Sequence, residues 1–213
     1  MKQMHYLLFI ALITISYRSH AQSFERKSNI SIGGGTERYR GDLGNAWFKP
    51  HEEVYGFVCF NYGQYLTPSF DVNTGVTFGD YGHCRDADES RYRPDGTEVL
   101  NMLCRLTSLS LTAKYKFANG HLLRDDARVA PYIYLGAAIN NVTDYWWSNK
   151  QRVNAGNYAS LNGGAGILYN FCTKFNLTYN LGFGYFTSDN LDYRTEGSND
   201  LYMQNSLVVG MNF

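Results

Sequence analysis

The sequence predicts an all-β fold, an eight-stranded antiparallel transmembrane up-and-down β-barrel, and three observations carry that expectation. Stretches of about nine to eleven residues alternate apolar with small polar side chains, the length a tilted strand needs to cross a bilayer. Their apolar faces hold no Asp, Glu, Lys or Arg through the central part of any well-patterned stretch. That exclusion is what lipid demands, since a mid-bilayer Lys or Arg costs roughly 2–4 kcal/mol. Connections also alternate, long and polar after strands one, three, five and seven, shorter after two, four and six. Outer-membrane barrels have this asymmetry, with short periplasmic turns and long outer loops.

The amino-terminus reads as an export signal. Lys2 gives a positive start, Tyr6 to Ile15 an apolar core, and Ser19-His20-Ala21 a small-residue cleavage site. Residues 1–21 are therefore expected to be removed, leaving 22–213 as one barrel domain without an internal linker or charge run. The 19 basic and 19 acidic residues cancel, which removes the usual argument for a nucleic-acid partner. Tyr 18, Phe 13 and Gly 21 are the high counts, fitting aromatic-rich β-structure with glycine where an interior is crowded.

Taken in order, Ser28 to Glu37 alternates Ile30, Ile32, Gly34 and Thr36 against Asn29, Ser31, Gly33 and Gly35. A polar loop follows to Glu53. Val54 to Tyr65 is the second strand, but Tyr55 and Phe57 compete with Val58 and Phe60, so periodicity leaves its facing open. Pro68 makes the next turn. Phe70 to Phe78 sets Phe70, Val72, Thr74, Val76 and Phe78 against Asp71, Asn73, Gly75 and Thr77. Asp80 to Met102 reads as a long charged loop.

The fourth strand sets Leu109, Leu111, Ala113, Tyr115 and Phe117 against Ser108, Ser110, Thr112, Lys114 and Lys116. The fifth sets Ile133, Leu135, Ala137 and Ile139 against Tyr132, Tyr134, Gly136 and Ala138. Asp144 to Asn157 is the third polar loop. Ala159 to Phe171 and the run from Phe175 to Tyr185 are strands six and seven, joined by a tight turn around Cys172. After the loop Ser188 to Asp200, the last strand places Leu207, Val209, Met211 and Phe213 on its apolar face. An apolar last strand is protected by closing against the first.

A soluble barrel would have an apolar interior. Here the opposite faces are Gly, Ser, Thr and Asn, small polar groups that fit the narrow inside of eight strands and make a poor solvent face. Aromatic pairs at strand ends, Tyr115 and Phe117, Tyr169 and Phe171, Trp146 and Trp147, Tyr185 and Phe186, read as interfacial girdles.

The chain resembles the eight-stranded barrels of the OmpA-like outer-membrane family in its Bacteroidota version. The resemblance rests on Tyr39-Arg40-Gly41-Asp42-Leu43-Gly44, on Tyr65-Leu66-Thr67-Pro68-Ser69-Phe70-Asp71, on Phe78-Gly79-Asp80-Tyr81-Gly82 and on terminal Phe213. It implies a Gram-negative outer membrane, with its lipid and lipopolysaccharide as surroundings. It further implies that the barrel-insertion machinery reads Leu207, Val209, Met211 and Phe213, and it allows another outer-membrane protein complex as a partner. Many relatives continue into a peptidoglycan-binding domain; this sequence stops at the barrel, so direct cell-wall anchoring is not expected.

Candidate sites follow from chemistry. Cys84 and Cys104 flank one polar loop and are candidates for a disulfide in an oxidising compartment, whereas Cys59 and Cys172 read as free thiols. Asp71, Lys114, Lys116 and Lys174 fall on inward faces, with Glu37 further up, and form a candidate interior ion network, because charges in a dry barrel persist only when paired. Trp47, Tyr92, Trp146, Trp147 and Tyr193 are a candidate loop binding surface.

His51, His83 and His121 fall in loops or turns, and Ser90 with His83 in a loop is a poor frame for proton transfer. Asp86, Asp88 and Glu89 match no calcium loop. No enzyme activity, metal or cofactor is expected. The readings that remain are an envelope or accessory barrel, a binding or adhesion module working through its loops, and a small channel.

Overall fold

The computed structural model describes residues 27–40, 54–83, 102–146, 152–187 and 200–213. Eight strands run through them: β1 (Ser28–Arg40), β2 (Tyr55–Tyr65), β3 (Phe70–His83), β4 (Met102–Lys116), β5 (Val129–Trp146), β6 (Arg152–Asn170), β7 (Phe175–Phe186) and β8 (Leu201–Asn212). Each pairs antiparallel with the next, and β8 returns to β1 to close the barrel. The closing seam runs from Asn29↔Asn212 to Arg40↔Leu201. At its end Ser28 N donates to Phe213 O at 3.1 Å and Phe213 N to Ser28 O at 2.9 Å, so the terminal residue is part of the ladder. Closure leaves no unpaired edge.

The short turns gather at one end with both ends of the barrel sequence, the turn end; the longer connections gather at the other, the loop end. In the β2–β3 turn Thr67 accepts from Phe70 N through both its carbonyl (3.2 Å) and its hydroxyl (3.0 Å). The β4–β5 connection is longer and built on Asn119, whose Oδ1 accepts from His121 N (3.0 Å) and Leu122 N (3.1 Å). Gly120 between them has φ 82°, a left-handed conformation in which a side chain would be strained.

Around the middle of the barrel the outward side chains are Ile32, Val58, Leu109, Leu111, Leu135, Ile139, Leu161, Ile167, Leu207 and Val209, all exposed. Leu135 reaches 69%. Water would not tolerate so continuous an apolar wall, whereas lipid requires one. The barrel is thus a transmembrane one. Two aromatic pairs border this belt near the turn end, Tyr115 with Phe117 (ring centroids 5.5 Å) and Tyr169 with Phe171 (5.1 Å).

Above the belt the polarity inverts. β3, β5 and β6 continue into stretches expected to be loops, and at this height of the barrel the inward side chains turn apolar: Tyr81, Cys104, Leu106 and Val142 are fully or almost fully buried. Their outward neighbours are Asp80, Arg105, Thr107, Asn141 and Thr143, with an Arg105–Asp80 ion pair at 3.4 Å and an Asn141–Asn157 hydrogen bond at 2.9 Å. The lower storey has the polarity of a membrane barrel and the upper one that of a water-soluble barrel. Phe186, expected in a girdle, belongs to this upper core at 0% exposure, because it continues the inward face of Gly182 and Gly184.

The second strand, which periodicity left open, is decided by its partners. Phe57, Cys59 and Gly63 are buried inside, while Val58, Phe60 and Tyr62 face out. Phe57 and Cys59 of β2 cluster with Val208 of β8, reaching across β1 between them. They can meet there because β1 presents glycines inward. A Cβ on Gly33 would lie 2.7 Å from Val208 Cα, and one on Gly35 2.8 Å from Ser206 Cα.

Candidate functional site in the barrel lumen

The lumen is occupied by side chains arranged in three levels. At the turn end are the charges. Asp71 of β3 and Lys114 of β4 are register partners, and Lys116 lies one inward position further along β4. Lys116 Nζ donates to Asp71 Oδ1 at 2.6 Å and lies 4.6 Å from the centre of the Tyr65 ring. With side-chain exposures of 12% and 4% this is a buried pair, for which partnership matters far more than it does at a surface. Lys114 Nζ lies 4.3 Å over the Tyr132 ring and makes no hydrogen bond or ion pair among the described residues.

The expected network therefore divides. Asp71, Lys114 and Lys116 come together. Lys174, expected inside, is exposed in the β6–β7 turn, where the chain reverses and alternation no longer dictates facing. Glu37 is inside at 1% exposure but towards the loop end, where its carboxylate accepts from Gln204 Nε2 at 2.7 Å. Glu37 was expected further up than Asp71, and the separation leaves it outside the charge cluster.

The middle level is a lattice of amides and phenols. It begins at the turn end, where Asn29 Nδ2 and Asn176 Nδ2 both donate to Asn212 Oδ1, at 2.7 and 3.1 Å. Asn180 donates to Ser206 Oγ at 3.1 Å and accepts from the Tyr132 hydroxyl. Higher up, Asn140 donates to Ser160 Oγ (2.9 Å), Ser160 to Asn162 Oδ1 (2.9 Å), and the Tyr202 hydroxyl to the same Oδ1 (2.8 Å). Inward glycines make room for the tyrosines. A Cβ on Gly166 would fall 2.5 Å from the Tyr132 hydroxyl, and one on Gly164 2.7 Å from that of Tyr134. Between these groups lies a cavity of about 150 Å³ whose walls include Asn61, Asn73, Ser110, Thr112 and Lys114.

The upper level closes the bore. Tyr81 of β3 and Phe186 of β7 stand on strands four apart in an eight-stranded ring, yet their ring centroids are 6.0 Å apart. Phe186 in turn packs on Tyr202 at 5.2 Å, with Leu106 and Val142 filling the same cluster. A contact between diametrically opposed strands leaves little passage beside it. Tyr81 lies in a stretch expected to be loop, and Leu106 and Val142 lie between the expected strands and loops, so the pattern assigned none of them to a core. A continued period of two with reversed polarity was the signal.

Cys104 is buried in this upper cluster and Cys84 lies outside the described residues, as do Trp47, Tyr92, Trp147 and Tyr193. Trp146 ends β5, and His83 ends β3. His121 is exposed in the β4–β5 connection, while His51, Ser90, Asp86, Asp88 and Glu89 lie outside the described residues. Cys59 and Cys172 carry free thiols, and Cys59 Sγ accepts weakly from Asn61 Nδ2 at 3.8 Å. Among the described residues no group of three or more His, Cys, Asp or Glu side chains is placed to hold a metal.

No protein-family model matches this chain, and no curated protein matches it. Solved structures do. Neisserial surface protein A superposes with a TM-score of 0.60 at 13% identity, over 87% of this chain and 97% of that one. The attachment invasion locus protein Ail of Yersinia pestis, in complex with the heparin analogue sucrose octasulfate, gives 0.51 at 17% identity, over 88% and 99%. The N-terminal β-barrel domain of Pseudomonas aeruginosa OprF gives 0.50 at 20% identity, over 88% and 98%. At such identities the likeness establishes the shared barrel fold.

Proposed function

We propose that the chain is a non-enzymatic integral protein of a Gram-negative outer membrane, of the OmpA-like kind found in Bacteroidota, exported by a cleaved signal peptide at residues 1–21. Its role is to support envelope integrity or to serve as an accessory subunit of an outer-membrane complex. The observation that carries this reading is the pairing of an unbroken lipid-facing wall with a lumen filled by mutually bonded side chains. Such a barrel spends its interior on holding shape. The turn end then faces the periplasm and the loop end the exterior. Outer-membrane lipid and lipopolysaccharide surround the belt, and the insertion machinery meets Leu207, Val209, Met211 and Phe213, which face outward on β8.

Two experiments test it. The protein should stay in membranes after carbonate washing and migrate differently on gels before and after boiling; recovery in the soluble fraction would refute membrane placement. Co-purification from native membranes should bring down a stable outer-membrane partner, or else a deletion strain should become sensitive to detergent. Neither result would remove the proposed role while leaving the barrel intact.

One observation favours a second reading, a surface binding module working through the loops. The hairpins remain paired above the lipid belt and are packed from within by Tyr81, Leu106, Val142 and Phe186, which makes a stiff stand for whatever the loops present. The Yersinia protein named above carries attachment in its name and a heparin analogue in its complex. On this reading the contact residues are Trp47, Tyr92, Trp146, Trp147 and Tyr193. A deletion strain with normal detergent resistance and lost binding to a surface or matrix would put this reading first.

A further inference from the structure

Two ammonium groups and one carboxylate meet at the turn end of the lumen, and the carboxylate is already taken. Asp71 receives Lys116 at 2.6 Å. Among the described residues Lys114 is left with the face of Tyr132 as its partner, and it forms part of the wall of the 150 Å³ cavity. A ring face attracts a cation but accepts no conventional hydrogen bond from it, so three strong N–H donors point at the space around them. The groups that face Lys114 from neighbouring elements are Asp71 on β3, Lys116 on its own strand and the Tyr132 and Tyr134 phenols on β5. Counted together they carry one excess positive charge.

The same cavity wall holds Asn73, one inward position above Asp71, opposite Thr112 in register. A Cβ on Gly63 would run into Asn73 Oδ1, so the carbonyl side of that amide lies against β2. Its Nδ2 makes no hydrogen bond among the described residues, which adds a neutral donor to the charged ones. The other carboxylates lie further from Lys114: Asp125 is near Tyr65, on the Lys116 side, and Glu37 is bonded to Gln204 at the opposite part of the cavity wall. The space exceeds one water and admits a small ion with part of its hydration.

We propose that this cavity is a binding site for a small monovalent anion, halide or short carboxylate, held by Lys114 and the Asn73 amide. The ion balances the charge that Asp71 leaves unmet. A dianion would exceed the single excess charge. The proposal concerns the lumen and stands apart from the barrel's role in the envelope.

Two readouts on the folded barrel in lipid nanodiscs or crystals test it. Chloride NMR line width should be broadened by wild-type protein, the excess should fall on adding formate, and it should be lost in Lys114→Met. Diffraction from crystals soaked in bromide should give an anomalous peak at about 3.2 Å from Lys114 Nζ. Equal broadening by Lys114→Met, or bromide at surface lysines only, overturns the proposal, as does a cavity holding water alone. Should the variant fail the boiling-dependent gel shift, the bromide peak in wild type decides alone, its presence supporting the site and its absence overturning it.

Discussion

Removing the three charges at the turn end one at a time should give unequal costs, and their order follows from the geometry. Asp71 and Lys116 are buried partners at 2.6 Å, and truncating one member of such a pair typically costs about 3–5 kcal/mol, because the other is stranded. Asp71→Asn strands two cations side by side, so it should fall in that range. Lys116→Met leaves Asp71 beside Lys114, its register partner, and forfeits mainly one charge-assisted hydrogen bond, about 1.5–3 kcal/mol. Lys114→Met leaves a matched pair and should cost no more than about 2 kcal/mol, the worth of a desolvated contact with the Tyr132 ring. Urea titration of the barrel folded in lipid vesicles, with the folded fraction read from unboiled gels, gives each value by linear extrapolation. Equal costs for the three variants, or Lys114→Met as costly as Asp71→Asn, would refute the assignment of partners.

Other perturbations probe the remaining levels. Leu135→Arg places a charge on the most exposed position of the lipid wall and should cost about 2–4 kcal/mol in the same titration. Phe186→Ala empties the upper core and should cost about 3–5 kcal/mol. In planar-bilayer recordings wild type should show no discrete steps, whereas the Tyr81→Ala, Phe186→Ala double variant should admit small ones; steps in wild type would refute the closed bore. Gly35→Val should block folding, seen as loss of the gel shift, because its Cβ has no room against β8.

Much of this fold was legible in the sequence. Ile30, Ile32, Leu109, Leu111, Leu207 and Val209 alternate with small polar residues, and period two alone assigns them to one face. The same alternation put Asp71, Lys114, Lys116 and Glu37 on the other face. It was silent on β2, where Phe57 and Val58 have equal claims, and it misplaced Lys174 and Phe186. In each case facing depended on a neighbour: the glycines of β1 that admit Phe57 and Cys59, the turn that releases Lys174, the opposed Tyr81 that receives Phe186.

What the sequence determined by itself was therefore the number of strands, their order and the existence of two faces, because alternation is a local property of an extended backbone. Tertiary structure decided which face is inside at each height. That sign depends on the surrounding medium, and it reverses where the barrel leaves lipid, so Tyr81 reads as loop, and Leu106 and Val142 as unassigned, until their strands are seen to continue. It also decided which interior groups meet. Closure brings β3 against β7 across the bore and leaves Lys114 facing a cavity, and distances across a ring are not written in any one strand.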